Sequence, residues 1–445
     1  MATKIGMISL GCSKNRVDTE QMLAELKQAG YALTLFANQA DVLIINTCSF
    51  IESAKMESIE TILEQIAQRR EDGQQKILVT GCLPERYREE LAQELPEVDG
   101  FIGVNQYGDI VSIVQRILNG ERVLDFDMHH AQPNAGRILT TPQHYAYVRI
   151  AEGCDLHCTY CAIPSIRGPY RSRPMEEIVQ ECKQLVQQGV QELILIAQDT
   201  SYYGKDLYGK PMLAQLLTNV AQSGAKWVRV LYCYPERITE ELLHTMAGTD
   251  NIVPYLDMPL QHVDDAILRA MGRPTNEAKI RALLTRIEQI GQFYHRPFTL
   301  RTTLIAGFPG ETQTQHERLV SFVQEGHFDH LGAFAYSQEE GTKAALLEAQ
   351  LDESTKQKRA SAIMSAQAPI PQRRNQMHLH QKMEVLIEHW DEKAHTAIGR
   401  IASQAPEVDG VVILPNCPHP CMPGTWQRCL IQQAKEYDLI GVICP

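Results

Sequence analysis

Three apolar runs near the N-terminus end alike, each in a cysteine: MISLGC at Cys12, VLIINTC at Cys48 and ILVTGC at Cys82. Helical patterns lie between and after them: DTEQMLAELKQAG ending at a glycine, a stretch from about Ser53 to Arg70, and PERYREELAQEL opening on a proline. A fourth strand pattern, VDGFIGV, follows. Alternation of this kind dictates a parallel sheet with helices across its faces. Cys12, Cys48 and Cys82 then fall just beyond the carboxyl ends of their strands, the edge where open α/β sheets bind ligands. One cysteine there reads as a small buried hydrophobe. Three at equivalent positions favour a shared metal site.

Residues 1–120 form this first unit. Residues 121–143 (ERVLDFDMHHAQPNAGRILTTPQ) lose periodicity and read as a linker. From 144 six strand patterns follow: HYAYVRIAE, ELILIAQD, WVRVLYCYP, IVPYLDMPL, FTLRTTLIAG and HLGAFAYS, separated by helical stretches such as MEEIVQECKQLVQQG and DDAILRAMG. Six βα units are two short of the eight that close a barrel, so residues 144–370 are expected as an incomplete (βα)6 barrel, again with functional groups on the strand-end face. A charged helical stretch (DESTKQKRASAIMSAQAPI) leads to residues 374–445, where MEVLIEHW, TAIGRIA, GVVILP, WQRCLIQQA and LIGVIC read as a small β-barrel. The expected class is α/β: an open parallel sheet, an incomplete barrel and an appended β-barrel.

No stretch approaches the ~20 apolar residues of a membrane span, and MATKIGMISLGC runs straight into a strand pattern with no signal-peptide layout. Twelve cysteines in such a chain point to the reducing cytoplasm, where metal binding outranks disulfides. The net charge of −12 is shared by all three segments. No segment offers the basic surplus that grips a phosphate backbone, which argues against direct nucleic-acid binding and favours a basic protein partner.

A second cysteine set is compact: Cys154, Cys158 and Cys161 in AEGCDLHCTYCAIPSIRG, with His157 alone among them. Structural zinc wants four ligands at familiar spacings, and a thioredoxin-like pair fits only if Cys154 is ignored. Three thiolates are one short of an all-cysteine iron–sulfur site. A four-iron cluster held by three leaves one iron open to the amino and carboxylate groups of S-adenosylmethionine, and an electron from it splits the sulfonium to a carbon radical.

CDLHCTYC resembles the radical-SAM signature, with the aromatic Tyr160 before the third cysteine. Together with the dispersed triad and a terminal barrel similar to a TRAM domain, the chain resembles the radical-SAM methylthiotransferases over nearly its whole length. SLGCSKNRVDTE, AQDTSYYG, YCYPERIT, YLDMPLQHVDDAILRAMGRP and YSQEEGT look like the RimO branch, which modifies an aspartate of a small-subunit ribosomal protein. The MiaB branch, which modifies a transfer-RNA adenosine, usually carries Gln-Met-Asn after its first cysteine. Ser13 replaces the proline common in the RimO branch, and the PNCPHPCMPG loop is unusual.

The resemblance implies two [4Fe-4S] clusters. One, on Cys154, Cys158 and Cys161, would cleave S-adenosylmethionine to a radical that takes a hydrogen from the aspartate β-carbon. The other, on Cys12, Cys48 and Cys82, would carry the sulfur, methylated by a second S-adenosylmethionine, to give 3-methylthioaspartate. An electron donor such as a flavodoxin or ferredoxin is implied too. Two alternatives stay open: a transfer-RNA methylthiotransferase and a zinc-dependent RNA-binding protein.

Among other residues, Gln198, Asp199 and Arg301 are candidate contacts to the amino-acid end of the cofactor, because a carboxylate suits arginine. The bland reading is an ion pair or strand cap. Tyr160 is a candidate adenine contact or a packing residue. The Gly307–Glu311 turn (GFPGE) permits close backbone approach to the cofactor or is an ordinary βα turn. Cys417, His419, Cys421 and Cys429 are a candidate zinc set, against which stand the prolines and a spacing that fits no common zinc layout. Cys182 and Cys233 read as packing residues, and the His129–His130 and His378/His380 pairs as solvated linker residues.

Overall fold

Residues 2–69, 74–127 and 136–444 are described by the computed structural model. Arg70, the expected end of the second helix, and His129–His130 lie outside them.

Six parallel strands make the first sheet, in the spatial order Ala32–Thr34, Lys4–Ser9, Val42–Thr47, Lys76–Gly81, Gly100–Ile102 and Val123–Asp125. Val42–Thr47 is buried along its whole length, which is why VLIIN reads as a continuous apolar run rather than an alternating one. Helices Ser13–Gln28 and Ile110–Leu118 pack Met22, Leu26, Ile113 and Ile117 with Ile5, Ile44 and Leu78. Helices Glu52–Ala67 and Cys82–Glu94 bring Ile62, Leu83 and Leu91 against Ile45, Val79 and Phe101 in a second cluster. Each such aliphatic side chain contributes roughly 1.5–3 kcal/mol on burial, and the two clusters fix the strand ends relative to one another. Two strands escape the sequence pattern, Ala32–Thr34 and Val123–Asp125. Each has three residues, too few for alternation to register. Val123–Asp125 falls in the stretch read as linker but pairs Gly100↔Val123, so the sheet runs beyond residue 120.

The six expected barrel strands are all present. Tyr145–Arg149, Glu192–Ile196 and Trp227–Val230 form one parallel sheet, and Tyr255–Asp257, Thr299–Ala306 and His330–Ala335 another. A single bridge, Val228↔Ile252, carries the curve from one to the other. No pairing joins the sixth strand to the first among the described residues. Cys182 and Cys233 are fully buried in this unit's core, as packing residues should be.

The last five strands close a barrel in the order Lys382–Asp391, Thr396–Arg400, Val412–Leu414, Leu439–Ile443, Trp426–Ala434. It seats against the residues that begin the (βα)6 strands, the end opposite the cysteines. Trp426 meets Trp227 edge to face at 4.6 Å. Fully buried Arg229 and Arg400 share the carboxylate of Glu192 at 2.7 and 2.6 Å. Such a group would be costly to bury unpaired. Among the described residues, no helix is long and apolar enough to cross a membrane.

Candidate functional site

Cys12, Cys48 and Cys82 leave three adjacent strands that run in step, with Ser9↔Asn46 and Thr47↔Gly81 in register. Two glycines allow the loops to close. Gly11 (φ +85°) comes so near the second loop that a Cβ there would lie 2.6 Å from Cys48 Cβ, and a Cβ on Gly81 (φ +99°) would lie 2.4 Å from Asn46 Oδ1. Cys12 caps helix Ser13–Gln28 and Cys82 is the first residue of helix Cys82–Glu94. Both sulfurs therefore sit at helix N-termini, where free N–H groups and the helix dipole favour a thiolate.

One side chain stitches the three loops together. Asn15 Nδ2 donates to Leu10 O (3.1 Å) and Thr47 O (2.8 Å), while its Oδ1 faces Cys12 Sγ at 3.9 Å and Cys82 Sγ at 3.8 Å. Cys12 and Cys82 thus meet over one oxygen atom. Burial pushes the Cys82 thiol up to about 12 despite the opposing pull of Arg167, and burial raises Cys48 as well. Metal binding must therefore release the protons of the Cys48 and Cys82 thiols. The hydroxyls of Ser13 and Ser49, next to Cys12 and Cys48, are buried without a hydrogen-bond partner. Unused donors beside clustered sulfurs suit an anionic, sulfide-bearing group, and the residues fit an iron–sulfur cluster.

The compact set hangs on a third positive-φ glycine. Gly153 (φ +77°) would place a Cβ 2.1 Å from Pro169 O, and Cys154 N donates to Gly168 O at 3.1 Å. The loop is pinned to the end of helix Asp265–Ala270 by Thr159 N to Met271 O (3.0 Å) and Thr159 Oγ1 to Ala270 O (2.8 Å). Burial pushes Cys154 up to about 11 and Cys161 up to about 12. His157 is exposed. Around this loop Gln198 Oε1, Tyr234 Oη, Glu236 Oε1 and Arg273 Nε are buried without partners. Arg273 stacks 3.9 Å over Tyr234, and Arg237 pairs with Asp199 at 2.6 Å. These unused donors and acceptors fit a zwitterionic amino-acid group such as that of S-adenosylmethionine.

Arg167, from the short helix Ile163–Arg167 that follows the compact set, reaches the dispersed set. Its Nη2 donates to Asn15 Oδ1 (2.7 Å) and lies 3.5 Å from Cys82 Sγ; its Nη1 meets Asp18 (2.9 Å) and Glu152 (3.3 Å). Arg149 also pairs with Asp18 and Glu152. Buried Glu20 accepts from Arg137 and Thr140, locking the same seam. A cavity of about 610 Å³ lies between the loop and helix start after Cys48 (Phe50–Ser53) and the (βα)6 unit, where Tyr160, Gln261, Thr303 and Tyr336 line it.

Tyr160 packs with Met271, Phe308 and Tyr336 while facing that cavity, and Gln198 donates to Glu152 at 2.6 Å. Arg301 forms the ion pair that its sequence context also allows. Its guanidinium pairs with Asp409 of the terminal barrel at 2.7 Å, beside Asp257 at 3.9 Å. The reason is position: third in its strand, Arg301 lies toward the end of the (βα)6 unit that the terminal barrel covers. Glu311 of the GFPGE turn accepts from Gly307 N and sits among Arg359, His262 and His316, and a Cβ on Gly307 would meet Lys356 Cγ at 2.6 Å. The turn therefore approaches a helix of its own unit. Cys417, Cys421 and Cys429 pack in the terminal-barrel core while His419 is exposed. His378 is half-buried and His380 exposed. Among the described residues, no three His, Cys, Asp or Glu side chains draw together round a single metal ion. Sequence reasoning missed Asn15, Glu152 and Arg167, although all three stand inside quoted runs, SLGCSKNRVDTE and AEGCDLHCTYCAIPSIRG.

Three family profiles match: Uncharacterized protein family UPF0004 over residues 4–103, Radical SAM superfamily over 148–323, and TRAM domain over 381–444. The chain is 44% identical to a ribosomal protein uS12 methylthiotransferase RimO of Thermoanaerobacter sp. (strain X514), covering 98% of this chain and 99% of that one. The RimO of Lachnoclostridium phytofermentans is 43% identical at the same coverage. Among solved structures, the radical S-adenosylmethionine methyltransferase TsrM of Kitasatospora setae, with cobalamin and a [4Fe-4S] cluster bound, matches with a TM-score of 0.53 at 12% identity, covering 75% of this chain and 72% of that one. OxsB, a cobalamin-dependent S-adenosylmethionine radical enzyme, matches at 0.51 and 12%, covering 82% and 56%. These last two share the fold.

Proposed function

The chain belongs to the ribosomal protein uS12 methylthiotransferase (RimO) family, and from that premise we propose that it adds a methylthio group to the β-carbon of an aspartate in uS12. It is a radical-SAM methylthiotransferase, and its cofactors are two [4Fe-4S] clusters and S-adenosylmethionine. When bound, these supply the one-electron and sulfur chemistry that no side chain provides. The observation that carries the reading is Arg167, which joins the two cysteine triads across one seam.

Cys154, Cys158 and Cys161 hold the cluster that binds S-adenosylmethionine; Cys12, Cys48 and Cys82 hold the cluster that delivers sulfur. Gln198, fixed by Glu152, offers its free Oε1 to the cofactor's ammonium, and Arg273 offers its free Nε to the carboxylate. Tyr160 presents its ring to the adenine from the cavity wall. Asn15 and Arg167 hold the three loops of the sulfur-delivering site in place and neutralise part of its negative charge. The Phe50, Ile51 and Tyr336 side chains line the cavity with apolar surface that keeps water from a reactive carbon centre.

A basic ribosomal protein suits a chain of net charge −12 better than transfer RNA does. On the terminal barrel, Glu384 stands opposite Arg428 and pairs with Lys226, so this outward face mixes both signs. The electron donor is a flavodoxin or ferredoxin, and the setting is the cytoplasm, where ribosomes and reduced thiols coexist. The test is to incubate the anaerobically reconstituted enzyme with uS12 and with transfer RNA separately and follow both by mass spectrometry. Methylthio mass on uS12 alone supports the reading; the same mass on transfer RNA alone overturns it.

A further inference from the structure

Lys14 stands in the first turn of helix Ser13–Gln28, two residues past Cys12, and points away from its own sheet. Its Nζ crosses to the strand-end edge of the (βα)6 unit, donating to Ala197 O at 3.4 Å and resting 3.7 Å over the Tyr232 ring. Tyr232 holds a left-handed backbone (φ +63°), which a non-glycine residue adopts only under constraint. Its N–H is fixed by Asp257 at 3.1 Å. The aromatic shelf under the ammonium is therefore held in place.

The neighbouring acids are committed. Asp18 is taken by Arg149 and Arg167, and Glu152 by both arginines and Gln198. Glu20 is held by Arg137, and Asp257 by the Tyr232 N–H and Arg301. Lys14, half-buried, has no carboxylate within ion-pair distance among the described residues. An ammonium carries three donors, and here one meets a carbonyl and the rest only an aromatic face. A charge sheltered in this way calls for an anion.

Beyond the cluster that Cys12 helps to hold, two anions can reach this seam: the carboxylate of S-adenosylmethionine and that of the target aspartate. The compact triad already has Arg273, with an unused Nε, at its side. Lys14 adjoins Cys12, on the side where sulfur is delivered. We propose that Lys14 receives the side-chain carboxylate of the substrate aspartate and so makes the enzyme choose an acid over its amide. This inference rests on the functional reading above and adds the residue that sets substrate choice. A lysine suits the role because its compact, flexible charge can follow a carboxylate while the neighbouring carbon turns from one triad to the other.

The test measures Kd for intact uS12 and for its Asp→Asn form on reconstituted enzyme with wild-type iron content, comparing wild type, Lys14→Gln and Lys14→Arg. A charge-assisted contact predicts that Lys14→Gln weakens binding of uS12 about tenfold to a hundredfold and leaves the Asn form unchanged. Lys14→Arg should restore part of the preference. Equal weakening of both forms means a structural role and overturns the inference, as does unchanged binding of both. Weakened S-adenosylmethionine binding with uS12 binding intact assigns Lys14 to the cofactor and overturns it too. A wild-type enzyme that modifies transfer RNA and ignores uS12 brings down the functional reading itself, and the inference with it.

Discussion

Replacing Arg167 tests how the two halves of the site depend on each other. The guanidinium is almost wholly buried and spends both ends of its fork, one on Asn15 and Cys82, the other on Asp18 and Glu152. In Arg167→Met, Asn15 Oδ1 loses its charged donor, a cost of about 1–3 kcal/mol. Breaking a buried ion pair costs about 3–5 kcal/mol, but Arg149 still serves Asp18 and Glu152, which holds that part to the low end. Together the loss is about 4–6 kcal/mol, enough to lower the melting temperature visibly. Arg167→Lys keeps one charge but cannot span both ends, and should recover less than half of that loss. The second consequence is chemical: without the cation, the Cys82 thiol rises further, and cluster loading on the dispersed triad weakens. The assay is iron per chain together with reductive cleavage of S-adenosylmethionine and methylthiolation of uS12. We expect Arg167→Met to keep cleavage while losing iron and methylthiolation. An Arg167→Met enzyme with full iron and full methylthiolation would refute the reasoning.

Cys154→Ala should abolish reductive cleavage, whereas Cys48→Ala should leave cleavage intact and stop sulfur insertion, both read by quantifying 5′-deoxyadenosine and modified uS12. Burial opposes the charged form of Glu181, yet Arg173 and Arg137 outweigh it and hold the carboxyl at about 2, below its ordinary 4.5. Its contribution, on the order of 3 kcal/mol, is complete above pH 4.5 and lost as pH falls toward 2; acid-denaturation curves of Glu181→Gln should lack that part of the slope. Arg301→Met should loosen the terminal barrel, seen as faster proteolysis, without changing the Kd for S-adenosylmethionine; a weakened Kd would return Arg301 to the cofactor.

Much of this architecture is legible because long apolar runs and punctuating glycines are local signals. VLIIN and ILVT, the six barrel runs and the five terminal runs all form strands close to where the pattern puts them. What escapes is either too short or too distant. Ala32–Thr34 and Val123–Asp125 leave three-residue traces that no period can reveal. The polar links of the site connect residues far apart, such as Arg167 with Asn15 and Lys14 with Ala197, and pairing across domains leaves no periodicity. The same blindness explains Arg301: sequence marks an arginine on the fifth strand but not that the terminal barrel supplies Asp409 to hold it. The cysteines stand out in the sequence because three of them recur at strand ends and three others cluster in one loop.

The claim under everything else is that each cysteine triad carries its own cluster. The direct measurement is iron per chain in anaerobically reconstituted wild type and in two triple variants, Cys12→Ala/Cys48→Ala/Cys82→Ala and Cys154→Ala/Cys158→Ala/Cys161→Ala. The account predicts about eight irons in wild type and about four in each variant. A variant that loses all its iron, or none, would contradict it.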